Sequence, residues 1–170
     1  MRYAVAVIYA RGRILDAACG CGYGSSMLEQ KGTVTGVDQS EEAIAWANKY
    51  FPGPTYVKGK IEEVEGEYET VVSLETIEHL EDPTPALKAF RKVCVGRFIA
   101  SVPNETLYPF RAEVFAKDAP PHYRHYTPEQ FEDFLAGHGF TTKRKFAQVS
   151  KQDPMPIEGT EGRFLIYVCE

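Results

Sequence analysis

Short apolar runs alternate with helix-like stretches along most of this sequence, and that alternation limits the folds open to it. Residues 13–18, 33–38, 55–57, 70–74 and 97–102 read as strands. Residues 2–10, 27–31, 40–51, 83–94 and 127–137 read as helices. Strands separated by helices pair in parallel through crossovers, so the sheet must be covered on both faces. Start signals support the helices: Ser25-Ser26 and Ser40 as caps, Asp82 ahead of Pro83, and Thr127-Pro128-Glu-Gln as a capping box with proline at its first position. Residues 104–126 and 151–162 read as irregular. The last two strands, 141–149 and 164–169, have no helix between them and form an antiparallel hairpin. The expected fold is one α/β domain over residues 1–170: a doubly wound, mostly parallel, seven-stranded sheet with a C-terminal antiparallel hairpin.

Ligands of such sheets bind beyond the carboxyl ends of the strands, near the point where strand order reverses. There the first strand runs into Asp16-Ala-Ala-Cys-Gly-Cys-Gly-Tyr-Gly24. Glycines at alternate positions let backbone approach a ligand closely. Asp38 ends the second strand, where a carboxylate can accept both hydroxyls of a ribose. The spacing excludes the dinucleotide fingerprint Gly-x-Gly-x-x-Gly: counted from Gly20, the third glycine position holds Ser25, and counted from Ala18 it holds Tyr23.

The pattern Asp-x-x-x-Gly-x-Gly resembles the first motif of class I S-adenosylmethionine-dependent methyltransferases. The resemblance runs from Tyr3 to Phe140, through Thr35-Gly-Val-Asp-Gln-Ser, Val72-Ser-Leu-Glu-Thr-Ile-Glu-His-Leu-Glu-Asp-Pro83, Ser101-Val-Pro-Asn104 and His122-Tyr-Arg-His-Tyr-Thr-Pro-Glu-Gln-Phe131. It is nearest to the group that includes ubiquinone-biosynthesis and glycan-modifying O-methyltransferases. The resemblance implies a Rossmann-like methyltransferase fold and S-adenosylmethionine as cofactor, with Asp16, Ala18, Gly20, Gly22, Asp38, Gln39, Lys60, Ile61, Leu74 and Glu75 as its binding residues. Three departures stand out. Ala18 replaces the first glycine. Lys60 stands where the group usually has an aspartate for the adenine amino group, which leaves adenine to the backbone around Gly59 and Ile61, with Glu62 as a substitute. The segment before the first strand is short, which implies an open cofactor site or one closed by a partner.

The acceptor end is expected after the fourth strand, at Glu75-Thr-Ile-Glu78-His79. A helical turn there puts Glu75, Glu78 and His79 on one face, as metal ligands or general bases; the structural alternative has Glu75 closing the cofactor pocket and the other two making packing hydrogen bonds. Glu-x-x-Glu-His, with a histidine five positions before a capping threonine, resembles the small-RNA 3′-terminal 2′-O-methyltransferases. That likeness implies a Mg²⁺ or Mn²⁺ site at Glu75, Glu78, His79 and His122, rather than His125, with Glu78, His79 and His122 as the catalytic set. Tyr108, Phe110, Phe115, Tyr123 and Tyr126 either line an acceptor pocket or cover the end of the sheet.

Composition bears on partners. The net charge of −5 argues against a nucleic-acid partner held mainly through phosphates. No apolar run reaches the roughly 18 residues of a membrane span, and Met1-Arg-Tyr-Ala-Val5 lacks signal-peptide features, so a cytoplasmic protein without a membrane partner is expected. The four cysteines form no Cys-x-x-Cys set. The leading expectation is transfer of a methyl group to a hydroxyl of a saccharide or small biosynthetic intermediate. RNA or nitrogen methylation, and a non-enzymatic cofactor-binding protein, are the alternatives. The sequence sets no oligomeric state.

Overall fold

The structure is a computed structural model that describes residues 2–115, 117, 120–150 and 155–170. Its elements, in order, are α1 (Tyr3–Tyr9), β1 (Gly12–Ala17), α2 (Tyr23–Leu28), β2 (Gly32–Asp38), α3 (Glu41–Tyr50), β3 (Thr55–Lys58), β4 (Tyr68–Leu74), α4 (Thr84–Val93), β5 (Cys94–Pro103), α5 (Ala112–Phe115), α6 (Pro128–Gly137), β6 (Thr142–Gln148), β7 (Ile157–Glu158) and β8 (Phe164–Cys169). One sheet contains every strand, in the order β3-β2-β1-β4-β5-β8-β6-β7. Strands β1 to β5 are mutually parallel, and β8 enters antiparallel between β5 and β6.

Successive strand residues point to opposite faces, and each face has its own core. Leu15, Val71, Phe98 and Tyr167 pack with α4 and α6 through Leu87, Phe90, Phe131 and Leu135. Ile14, Val72, Ile99 and Ile166 pack with α1 and α2 through Val5, Ala6 and Leu28. Every residue of β8 is buried, as a strand covered on both faces requires. The expected caps hold where the chemistry is local. Ser40 Oγ accepts from Ala43 N at 3.2 Å, and Thr127 and Gln130 complete the capping box; Asp82 is not the cap of α4, whose N-cap is Pro83, although its Oδ1 accepts from Thr84 N at 2.9 Å.

The structure corrects the sequence reading in five further places. The sheet has eight strands, because Ile157–Glu158, inside the expected 151–162 loop, pairs with Phe146 and Ala147 of β6. Residues 151–154 of that loop lie outside the described residues. The helix expected at 27–31 starts at Tyr23, after Gly22 in a left-handed conformation, and 29–31 is a 3-10 turn. Ser25 does not cap it: its hydroxyl donates to Asp16 Oδ2 at 2.6 Å, since a buried carboxylate draws in any donor it can reach. The helix expected over 83–94 yields Cys94 to β5, which starts there rather than at Arg97. The 104–126 stretch contains α5 and a bridge between Asn104 and Tyr126.

The strand order reverses between β1 and β4, and the residues that follow those two strands face each other across the reversal. Those residues begin with Ala18 and Glu75.

Candidate active site

Ala18 and Glu75 are the two non-glycine residues with left-handed backbone among the described residues, at φ 59° and 52°. Such a conformation costs a side-chain-bearing residue about 1–3 kcal/mol and persists only where its surroundings enforce it. Here they do. Cys19 N donates to Val37 O at 3.0 Å, and Glu75 N donates to Ser101 O at 3.1 Å and to Ser101 Oγ at 3.0 Å.

Three cavities meet at Glu75, and Ala18 borders two of them. One, of about 390 Å³, lies between the β1–β2 edge and the turn after β4; Ala18, Asp38, Gln39, Lys60, Ile61 and Glu75 help to line it. A second, of about 570 Å³, runs beside the glycine loop and is lined by Arg2, Tyr3, residues 18–21, Tyr23, Leu74, Glu75 and Gln148. A third, of about 190 Å³, is lined by Arg2, Glu75, Glu78, His79, Tyr108, Phe115, His122 and Phe164. Glu75 borders all three.

Asp38 is fixed by the loop it serves. Its Oδ2 accepts from Gly20 N and its Oδ1 from Ser40 N, each at 2.9 Å. A carboxylate has about four acceptor positions, so capacity remains for hydroxyl donors. Lys60 is exposed and pairs at 3.6 Å with Glu63, while Ile61 is buried.

Asp16 and Gly22 do not reach the cavities. Asp16 is fully buried, and Tyr3 Oη donates to its two oxygens at 2.9 and 3.1 Å. Burial pushes its carboxyl up to about 6, although the Ser25 and Tyr3 hydrogen bonds oppose the shift. Asp16 therefore anchors α1 to the glycine loop, and the Tyr3 ring fills the space where a side chain on Gly24 would stand, its Cζ 2.0 Å from an added Cβ. Gly22 faces Ala47 and Tyr56.

Sequence reasoning missed Arg2. It lies 3.5 Å from Glu75 Oε1, donates to Gln148 Oε1 at 3.1 Å, and stacks over the Phe164 ring at 4.5 Å. With Tyr3 it lines the cavity beside the glycine loop. The one signal in the sequence was a lone arginine opening an apolar helix.

The turn after β4 is a 3-10 helix, Ile77–His79, and Glu75 lies outside it. The expected shared face of Glu75, Glu78 and His79 therefore does not form. Glu75 Oε1 instead accepts from Ser101 Oγ at 2.9 Å and faces Arg2. One ligand atom each from Glu78, His79 and His122 gathers within 4.8 Å, without Glu75. The loop bearing His122 is pinned to this turn by Tyr123 N donating to Glu78 O at 2.8 Å.

Hydrogen bonds set the imidazole tautomers. A carbonyl only accepts, so His79 Nδ1–H donates to Pro121 O at 3.0 Å and, when the ring is neutral, leaves a lone pair on Nε2. His125 Nδ1–H likewise donates to Tyr108 O at 2.6 Å. Burial lowers the pKa of His125 against the pull of Glu105 at 3.9 Å; with this ring neutral, its Nε2 accepts from His122 Nδ1–H at 2.9 Å. His122 then carries its own lone pair on Nε2. Glu78 is wholly buried, and among the described residues neither carboxylate oxygen has a hydrogen-bond partner. Burial, reinforced by Glu75, holds its carboxyl well above the usual range. A buried carboxylate without partners, beside two imidazole lone pairs, has the donors of a divalent cation site. On a tetrahedral ion, ligand atoms at about 2.0–2.2 Å stand about 3.3–3.6 Å apart, against the 4.8 Å within which these three lie.

Residues 15–96 match the methyltransferase domain family, over both strained residues and the Asp38 loop. That stretch of the chain is a methyltransferase domain of this family. Among curated proteins, a ubiquinone biosynthesis O-methyltransferase of Pseudomonas fluorescens is 34% identical over 94 residues, or 49% of this chain and 40% of that protein. The chain thus spans about two-fifths of the length of that relative. Among solved structures, a methyltransferase of Thermotoga maritima described as a possible histamine N-methyltransferase superposes with a TM-score of 0.78 at 21% identity, covering 99% of this chain and 86% of that one. The magnesium protoporphyrin IX methyltransferase of Synechocystis, solved with bound S-adenosylmethionine, gives 0.69 at 21% identity, over 98% of this chain and 74% of that one. Among the described residues no helix is long and apolar enough to cross a membrane.

Proposed function

We propose that this chain transfers a methyl group from S-adenosylmethionine to a hydroxyl of a saccharide or other small biosynthetic intermediate, with a divalent ion held by Glu78, His79 and His122. The observation that carries this reading is the buried Glu78 carboxylate, without a hydrogen-bond partner among the described residues, grouped with the two histidines in a cavity that shares the Glu75 wall with the two larger ones. Two nitrogens and one oxygen suit Mn²⁺ or Zn²⁺ better than Mg²⁺. When bound, such an ion supplies a Lewis acid that lowers the pKa of the acceptor hydroxyl.

The chain's own residues do the rest. Asp38 accepts the ribose hydroxyls, and the backbone around Gly59 and Ile61 faces the adenine. The Arg2 guanidinium answers the carboxylate of the amino-acid end. Ala18 and Glu75, held in strained conformations between the two larger cavities, would border the bound cofactor. Tyr108, Phe115 and Phe164 wall the acceptor cavity and exclude water. Alignment of this kind is worth roughly 7–11 kcal/mol of barrier in favourable cases. A cavity of about 190 Å³ favours a small acceptor over a polynucleotide, as does the acidic net charge. The O-methyltransferase relative favours oxygen over nitrogen.

The test is a panel of small hydroxylated acceptors incubated with methyl-labelled cofactor, before and after exhaustive chelation. The expected result is an O-methyl product that disappears on chelation and returns with Mn²⁺ or Zn²⁺. Full activity after chelation removes the ion and leaves Glu78 as a general base. An N-methyl product removes the hydroxyl acceptor.

A further inference from the structure

His125 holds no place in the ligand set, yet it is the most enclosed imidazole near it. Its side chain is fully buried, among Phe115 at 4.8 Å, Tyr108 at 5.3 Å and Phe110 at 5.5 Å between ring centroids. Both of its ring nitrogens are used: Nδ1 on the Tyr108 carbonyl at 2.6 Å and Nε2 on His122 Nδ1 at 2.9 Å. A ring packed on its faces and bonded at both nitrogens is held in one orientation and one tautomer. His122, stacked on Phe115 at 4.9 Å, inherits both.

We propose that His125 is a positioning residue: tied through Nδ1–H to the Tyr108 carbonyl, it accepts the His122 Nδ1 proton at its Nε2, and so keeps the His122 Nε2 lone pair aimed at Glu78 and His79. Direction fixes the chain of bonds. The carbonyl can only accept, so the single proton of neutral His125 sits on Nδ1, and the only proton available between the two rings belongs to His122. His79 reaches the same state through a single bond, to Pro121 O at 3.0 Å. The two histidines thus present equivalent nitrogens by different routes: one rests on backbone, the other on a second side chain. The backbone route cannot be mutated away, but the side-chain route can. Outer partners of ligating histidines typically change metal affinity ten- to a hundredfold.

The inference rests on the metal reading for its consequence but not for its geometry, and the experiment separates the two. In metal-free protein labelled with ¹⁵N-histidine, long-range proton–nitrogen spectra report which His122 nitrogen carries the proton. Mn²⁺ alone is then titrated into wild type, His125→Phe and His125→Gln. Phe keeps the packed ring and removes the acceptor; Gln offers an amide oxygen near the position of Nε2. The expected result is an Nδ1 proton on His122 in wild type, a mixed tautomer in His125→Phe with Mn²⁺ binding ten- to a hundredfold weaker, and recovery of most of that loss in His125→Gln. S-adenosylmethionine affinity should be unchanged in both variants, which shows that they fold. An Nε2 proton on wild-type His122, wild-type Mn²⁺ affinity in His125→Phe, or no recovery in His125→Gln overturns the proposal. If wild type binds no Mn²⁺, the metal reading fails, and the spectra alone judge His125: an Nδ1 proton lost in His125→Phe sustains it, and one retained overturns it.

Discussion

Gly20 and Gly22 look interchangeable in the motif but should respond very differently to a methyl group. Both have positive φ, 54° and 84°. Alanine in that region costs about 1–2 kcal/mol, less roughly 0.4–1 kcal/mol regained because alanine restricts the unfolded chain. At Gly20 nothing more is added, since a Cβ there meets no atom within 4 Å. At Gly22 it would stand 2.6 Å from Ala47 Cβ and 2.7 Å from Tyr56 Oη. Tyr56 cannot retreat freely, because its hydroxyl bridges Gly22 O at 3.1 Å and Phe51 O at 3.0 Å. Overpacking of that kind costs a further 1–3 kcal/mol or so. For a chain of this size that difference amounts to roughly 2–12 °C in Tm. Thermal unfolding of Gly20→Ala and Gly22→Ala, each without cofactor, measures it. Gly22→Ala should melt well below Gly20→Ala. Gly20→Ala should instead lose cofactor affinity, because its new methyl enters the cavity beside the loop. Equal melting temperatures would refute the reasoning.

Asp38→Ala should weaken S-adenosylmethionine binding about ten- to a hundredfold, since hydrogen bonds to a charged acceptor are worth about 1.5–3 kcal/mol; calorimetric titration reads the loss, and wild-type affinity would reject the assignment of the ribose to Asp38. Asp16 adds a pH dependence. Burial pushes its carboxyl up to about 6 from the 3.8 of a free aspartate, so its contribution is fully present below pH 4 and lost as pH rises through 6. A shift of about two units corresponds to roughly 3 kcal/mol. The stability of Asp16→Asn relative to wild type should therefore improve by up to about that much between pH 4 and pH 7, as followed by denaturant unfolding; a pH-independent difference would contradict it.

Much of the fold was legible because its signals are local. Ser40 and Thr127 cap helices with their own side chains, and the run from Asp16 to Gly24 must turn wherever it is placed. The misreadings arise where a distant residue decides. Ser25 reads as a cap until Asp16 is found buried beside it. Glu75 reads as a ligand by its spacing from Glu78 and His79, yet Ser101, on the neighbouring strand, and Arg2 take its carboxylate. The two-residue β7 has no pattern of its own and exists because β6 offers an unpaired edge. Glu78, His79 and His122 were named from sequence; the orientation that brings their atoms together depends on Pro121, His125 and Tyr108, which no spacing rule connects.

The position of β8 has a consequence for the order in which this protein can be completed. Strands β1 to β5, with their helices, are made in sequence, and each can pair with a strand already present, so the Ala18–Asp38 side of the site can assemble early. The outer edge of β5 has no partner until Phe164–Cys169 arrives, and β6 waits for the same strand. Phe164 is both the first residue of β8 and the ring beneath Arg2. At about 5–20 residues per second, the chain spends several seconds on the ribosome between β5 and β8. Through that interval the Ala18–Asp38 side of the strand-order reversal can be in place, while the ring that underlies Arg2 has yet to be made.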